Sequence, residues 1–235
     1  MNKLALNIAY WSSVLSAILF VVFIASFVGI ALTSPLFVWT NLSDYVAYVN
    51  ANNQVFKYIA QTAMLLFGPA FVILLACIHE LAVADKNALT RIALGFAVVF
   101  ATLIGIHYFI QISAVRLNLS KGHIEGLEQF LQGKPDSASS AINMLGWTLF
   151  FGLSTIFVAP VFTGDRLQRA IRLLLLINGA CCLVAGLGYV FDSVALVFLT
   201  INLGMGGSVT ALSFLLAVHF RRAIRQSRVG NRSGA

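Results

Sequence analysis

Charge is what this sequence has least of. Only 10% of its 235 residues are Asp, Glu, Lys or Arg, and 60% are hydrophobic. A soluble domain carries about 25% charged residues. A chain this poor in charge cannot solvate an ordinary surface, so its surface must meet lipid. Acidic residues number eight, and those within apolar stretches lie close to the ends. That removes the buried carboxylates that proton-coupled transporters usually employ, and it leaves no Ser/His/acid set for nucleophilic catalysis. Cysteine is confined to Cys77, Cys181 and Cys182, all inside apolar stretches, so neither a disulfide framework nor a metal-ligand spacing is present. Two motifs are near misses. His79-Glu80 would need a histidine at position 83 to make a zinc-binding helix, and the chain has Val83 there. The GMGG of residues 204–207 has no strand before it, so it is not a dinucleotide fingerprint.

What is present is six apolar stretches: Ile8–Leu32, Phe56–Ile78, Ile92–Val115, Ala141–Phe162, Leu173–Phe191 and Val194–Phe220. Each is near or above the about 20 residues needed to cross a hydrocarbon core. Backbone polar groups find no water there, so each is read as a helix. The fold class is all-α: a polytopic membrane protein, a bundle of six transmembrane helices with two short outer amphipathic segments. Residues 1–222 are expected to form the transmembrane domain, and residues 223–235 a basic cytoplasmic tail. The first stretch is far longer than the about 7–15 apolar residues of a secretory signal, so it reads as an uncleaved helix.

Basic residues set the direction. Lys3, Lys86, Arg91, Arg166, Arg169, Arg172, Arg221, Arg222, Arg225, Arg228 and Arg232 fall on one side. Lys57, Arg116, Lys121 and Lys134 fall on the other. The positive-inside rule places the first group in the cytoplasm. The expected location is therefore the plasma (inner) membrane, multi-pass, with both termini cytoplasmic. The net charge of +7 then serves orientation at an anionic leaflet and does not indicate nucleic-acid binding.

Ser34-Pro35 ends the first helix, and Ser43 is the expected N-cap of a short interfacial helix carrying Tyr45 and Tyr48. In the outer loop after Arg116, Ile124, Leu127, Phe130 and Leu131 recur at helical spacing, which predicts a second amphipathic segment on the surface or over the bundle. Gly68-Pro69 predicts a kink in the second span. Gly204/Ser208 and Gly207/Ala211 predict close helix approach along the sixth.

The third span holds an ionisable ring well inside its boundaries. At 1.5 Å per residue, His107 lies roughly 13 Å and Gln111 roughly 7 Å below Arg116. Both share one helix face. Gln61, Asn143 and, deeper, Asn202 enter from the same side. Intramembrane ionisable residues usually face a bundle interior or a wet cavity. His107, Gln111, Gln61, Tyr108 and Asn143 are therefore the candidate ligand-binding residues. The structural alternative is a neutral histidine whose hydrogen bond to Asn, Gln or Tyr holds helices together. No metal or other cofactor is expected: of His79, His107, His123 and His219, only His79 and His219 fall at one depth.

HYFIQ (His107–Gln111) followed by Arg116, an amphipathic outer loop, NMLGW (Asn143–Trp147) and APVF (Ala159–Phe162) resembles uncharacterised bacterial six-pass membrane proteins of unknown function. The resemblance implies a six-helix bundle in a bacterial inner membrane, and it carries no activity or site residue. The expected function is binding of a small apolar or amphipathic ligand in an outer-leaflet pocket, or service as a membrane-complex subunit. The alternative is a lipid-modifying enzyme using His107 as acid/base. Membrane lipid is the expected partner, with a second copy of the chain or another membrane protein also open, and no nucleic acid.

Overall fold

A computed structural model describes residues 2–232, with side chains of residues 2–227. Among the described residues six helices are long and apolar enough to cross a membrane: α1 (Lys3–Thr33), α3 (Val55–Leu81), α4 (Ala84–Ser120), α5 (Ala138–Val161), α6 (Arg166–Val190) and α7 (Val194–Ser227). A short helix, α2 (Leu42–Ala51), lies between α1 and α3. No strand occurs among the described residues. The helix of α7 runs on without a break to Arg232, so most of the basic tail is a helical extension of the last span; residues 233–235 lie outside the described residues.

The six long helices form a ring in chain order. Each packs on the next, and α1 closes the ring against α7. The segments joining α1 to α3 and α4 to α5 gather at one end, called here the long-loop end; Asn2 and the α7 extension mark the terminal end. Side-chain caps start several helices. Asn2 accepts from the amides of Leu4 and Ala5, Ser137 from Ser140, and Asp165 from Gln168. Each satisfies a backbone donor that helix geometry leaves without a partner.

The interior is aromatic. Phe20 of α1, Phe67 and Phe71 of α3, Phe100 of α4, and Trp147 and Phe151 of α5 meet at its centre. Phe67 stacks on Trp147 at 5.9 Å and meets Phe20 edge-on at 4.9 Å; Phe100 meets Trp147 at 4.8 Å. Lipid tails are as apolar as leucine, so sequestering these rings gains little from hydrophobic burial; shape and van der Waals contact must hold the helices together. On α1, small polar groups therefore turn inward beside Phe20, while many large apolar ones turn outward. Ser12, Ser13, Ser16 and Ser26 of α1 are buried, whereas Trp11, Ile18 and Phe27 are exposed.

A polar staple joins α5, α6 and α7. Asn178 Nδ2 donates to Thr155 Oγ1 at 3.1 Å, and Ser208 Oγ donates to Asn178 Oδ1 at 3.1 Å. Close backbone approach makes this possible. A Cβ on Gly179 would sit 2.3 Å from Ile156 Cγ1 and 2.8 Å from the Gly152 carbonyl oxygen.

Several local expectations change. The N-cap of α2 is Asn41, whose Oδ1 accepts from the Asp44 amide at 2.9 Å, not Ser43. Pro69 lies inside helix α3, which continues past it as a kinked helix also does; Gly68 beside it sits close against Ala101 of α4. Of the two small-residue pairs in α7, only Gly204/Ser208 faces a neighbour; a Cβ on Gly207 would meet nothing. Three spans contain a π-helical turn: Gln111–Val115 in α4, Gly146–Phe151 in α5 and Leu199–Met205 in α7. Apolar periodicity gave no sign of these, because one extra residue in a uniformly apolar run leaves its composition unchanged.

Gly179→Val should lower stability by about 1–3 kcal/mol through overpacking against Ile156 and the Gly152 backbone. Gly207→Ala should stay within about 0.5 kcal/mol of the parent. Thermal unfolding of both variants in one nonionic detergent checks the pair; equal melting temperatures would count against the close α5–α6 crossing.

Candidate functional site: a lidded cavity at the long-loop end

The segment between α4 and α5 is not an amphipathic α-helix. Gly122 and Gly126 both take φ of +71°, a left-handed conformation that interrupts helical winding and suits glycine. Only one 3₁₀ turn forms, Leu127–Phe130. Leu127 and Leu131 nonetheless point inward, packing with Tyr45 and Val115 and against Phe37, Trp39 and Leu42. Phe130 is half exposed. The two long loops thus pack on each other as a lid. Gly133 lies flat on the Tyr45 ring, where a Cβ would come within 2.8 Å of Cε2. Lys134 Nζ stands 5.9 Å from the centre of the Trp39 ring, and Tyr189 Oη donates to the Pro135 carbonyl oxygen at 2.8 Å.

A non-helical segment at the edge of the bundle needs partners for its peptide groups, and Gln111 supplies them. Its Nε2 donates to the Phe130 carbonyl oxygen at 2.6 Å and to Ser139 Oγ at 3.2 Å. Its Oε1 accepts from the Gln132 amide at 3.1 Å. Gln61 Nε2 in turn donates to the Gln132 side-chain oxygen at 2.7 Å. Ser137 Oγ donates to the Leu131 carbonyl oxygen at 2.8 Å, closing the turn back into α5.

His107 sits one turn below Gln111 and shares its partner. Nδ1 lies 2.9 Å from both the carbonyl oxygen and the hydroxyl of Ser139. A carbonyl only accepts, so Nδ1 carries the proton and Nε2 is the unprotonated nitrogen. Nε2 is buried without a hydrogen-bond partner, as are Gln61 Oε1 and Asn143 Oδ1. His107 has no exposed surface.

Beside this knot lies a cavity of about 590 Å³, between α1, α3, Tyr108 of α4 and Phe198 of α7, roofed by the lid through Gln132 and Gly133. That volume is in the range of about 300–1,000 Å³ typical of small-molecule sites. Its body is apolar, formed by Phe23, Phe27, Ile30, Leu36 and Phe37. Its polar groups cluster where α3 begins: Asn53, Gln54, Lys57 and Gln61 with Tyr45, Tyr48 and Gln132. The five residues predicted from sequence therefore divide. Gln61 and Tyr108 line the cavity. Gln111 and His107 bond to Ser139 behind it. Asn143 is half-buried on α5 and is not part of the lining. Asn202 turns outward and bonds to the Phe198 carbonyl oxygen of its own helix at 3.1 Å.

Lys57 escaped the sequence reading, which counted it only as one outer charge. Its Nζ donates to Tyr45 Oη at 2.7 Å and lies 5.2 Å from the centre of that ring. Burial pushes the Tyr45 phenol up to about 12, so the phenol stays protonated near neutral pH and gives the ammonium no counter-charge. Among the described residues no carboxylate oxygen lies within 4.0 Å of Lys57. The signal available in sequence was a lysine just inside an apolar span, directly after an aromatic-rich loop. A smaller cavity of about 340 Å³ lies at the terminal end, lined by Phe162, Gln168 and His219. No group of three His, Cys, Asp or Glu that could hold a metal occurs among the described residues.

The fold and the apolar spans define a multi-pass integral membrane protein. No family model matches the chain, and no solved structure matches it. It is 28% identical over 104 residues to an uncharacterized transporter of Bradyrhizobium diazoefficiens, a match covering 40% of this chain and 20% of that protein. The matched region is thus about a fifth of that relative's length.

Gln111→Leu would leave the Phe130 carbonyl and the Gln132 amide, both partly buried, without their partner, at a cost of at most about 1–3 kcal/mol for each. The expected result is faster hydrogen exchange across residues 127–132 and a proteolytic nick between 122 and 137, with the spans still protected. Unchanged exchange in the lid would show that Gln111 does not hold it.

Proposed function

We propose that this protein binds an amphipathic small molecule in the cavity at the long-loop end, with the apolar part along α1 and the polar part at the start of α3. The carrying observation is the division of the lining: one apolar wall from Phe23 to Phe37, and one polar corner around Lys57, Gln61 and Gln132. A site of this kind fixes a ligand by a few polar groups and holds it by apolar contact. His107 acts here through position. Its protonated nitrogen holds Ser139, which also meets Gln111, so the histidine supports the lid. An acid/base role has little geometric support, since the ring is fully buried and outside the cavity lining.

The similarity to an uncharacterized transporter supports a second reading, in which the cavity is one stage of a passage across the bilayer. Movement of a fluorescent lipid between leaflets of proteoliposomes would separate passage from static binding.

The same proposal places the cavity in the outer leaflet of the inner membrane, with both termini cytoplasmic. Its support is the bias of Lys and Arg toward the terminal end. Cysteine introduced at Lys121 should react with an impermeant maleimide in spheroplasts, and cysteine at Thr163 should react only after lysis. The reverse pattern would invert the protein.

Ala31 faces the cavity and is exposed in it. Ala31→Trp should fill the space, lowering the amount of lipid that co-purifies by about tenfold while the melting temperature stays close to the parent's. Lipid retained at the parental level would remove the cavity as the binding site.

A further inference from the structure

The cavity's polar corner has a sign. Lys57 is the third residue of α3, in the first turn, where the helix dipole leaves the equivalent of roughly half a positive charge. The N-cap residue Gln54 makes no side-chain capping bond, although Asn53 Oδ1 accepts from the Val55 amide at 2.8 Å. Asn53, Gln54 and Lys57 all border the cavity. The hydrogen bond of the ammonium to Tyr45 is to a neutral phenol. The other groups at that corner, Gln61, Gln132 and Tyr48, are neutral as well. An ammonium held half-buried at a membrane cavity is costly without a counter-charge. Lysine near a helix end commonly reaches toward water, but here the aromatic contact with Tyr45 turns it along the lid.

We propose that the ligand is an amphiphile with an anionic headgroup, whose carboxylate or phosphate oxygens meet Lys57 Nζ while one apolar chain lies along Phe23, Phe27 and Ile30. This inference rests on the binding function proposed above and adds the charge of the ligand to it. A volume in the small-molecule range suits one chain. The two long loops cover that chain, and the positive corner selects its head. Gln61 and Gln132 flank the head, and Gln111 sets the position of Gln132 through its backbone amide.

The test compares ligands matched in chain and different in head. Equilibrium dialysis of the purified full chain in a nonionic detergent would measure oleate, oleyl phosphate and oleyl alcohol on the parent protein, Lys57→Gln and Lys57→Arg. The expected result is that the parent binds both anions about tenfold more tightly than the alcohol, the order of effect for a partly desolvated charge pair. Lys57→Gln should bind all three at the level of the alcohol, and Lys57→Arg should keep the preference. Retained alcohol binding by Lys57→Gln shows that the variant is folded. Equal binding of all three ligands by the parent overturns the anionic assignment and leaves the cavity proposal standing. No binding of any ligand by the parent overturns both. Complete displacement of oleate by inorganic phosphate would make the corner a site for free anions and overturn the amphiphile assignment.

Discussion

The lid depends on one side-chain amide. Gln111 bonds to a carbonyl and an amide of a segment whose own backbone bonding is one 3₁₀ turn and a few isolated turns. In the hydrocarbon region irregular backbone is tolerated only where protein surrounds and satisfies it. Remove that amide and the Phe130 carbonyl and the Gln132 amide have to find water. Leu127 and Leu131 then lose their seat against Tyr45, and the roof of the cavity, Gln132 and Gly133, loses its position. The π-helical turn that begins at Gln111 belongs to the same arrangement. Such turns recur at functional positions in helices; this one lies where α4 leaves the bundle and meets the lid.

Beneath the lid, the bundle is held by two kinds of contact that differ from those of a soluble core. The aromatic centre works through fit. The Asn178 node works through hydrogen bonds that have no strong competitor in lipid, each worth about 0.6 kcal/mol on average and at most about 1.7. Neither is large, so the α5–α6 crossing at Gly152 and Gly179 has to bring backbones close before the node can form. Small residues and polar staples act together there.

The spans were legible because apolar length is a strong signal. Every predicted stretch became one long helix. His107 and Gln111 likewise share a face, both touching Ser139. The lid's path was not legible. Of the apolar residues spaced as on a helix, Ile124, Leu127, Phe130 and Leu131, Leu127 and Leu131 turn inward and Phe130 does not; two glycines with positive φ prevent the helix that would place all four on one stripe. Ser139 and Gln132 drew no attention, because a serine and a glutamine in a loop give no sign of where they will point. Lys57 was visible as a charge and invisible as a neighbour of Tyr45, since the fold of residues 34–54 decides that contact.

The ring has one pairing that is distant in the chain, α1 with α7. The others join consecutive spans and can form as each new hairpin enters the bilayer, with the N-terminal ones first. The cavity draws its walls from α1 and α3 and from Phe198 at the start of α7. During synthesis its floor and roof precede its last wall by the whole of α5 and α6. A nascent chain truncated before residue 194 would carry the lid and the Lys57 corner, yet leave the cavity open to the surrounding lipid on the α7 side. On the binding function proposed above, the site is completed late, at the moment the final helix meets the first.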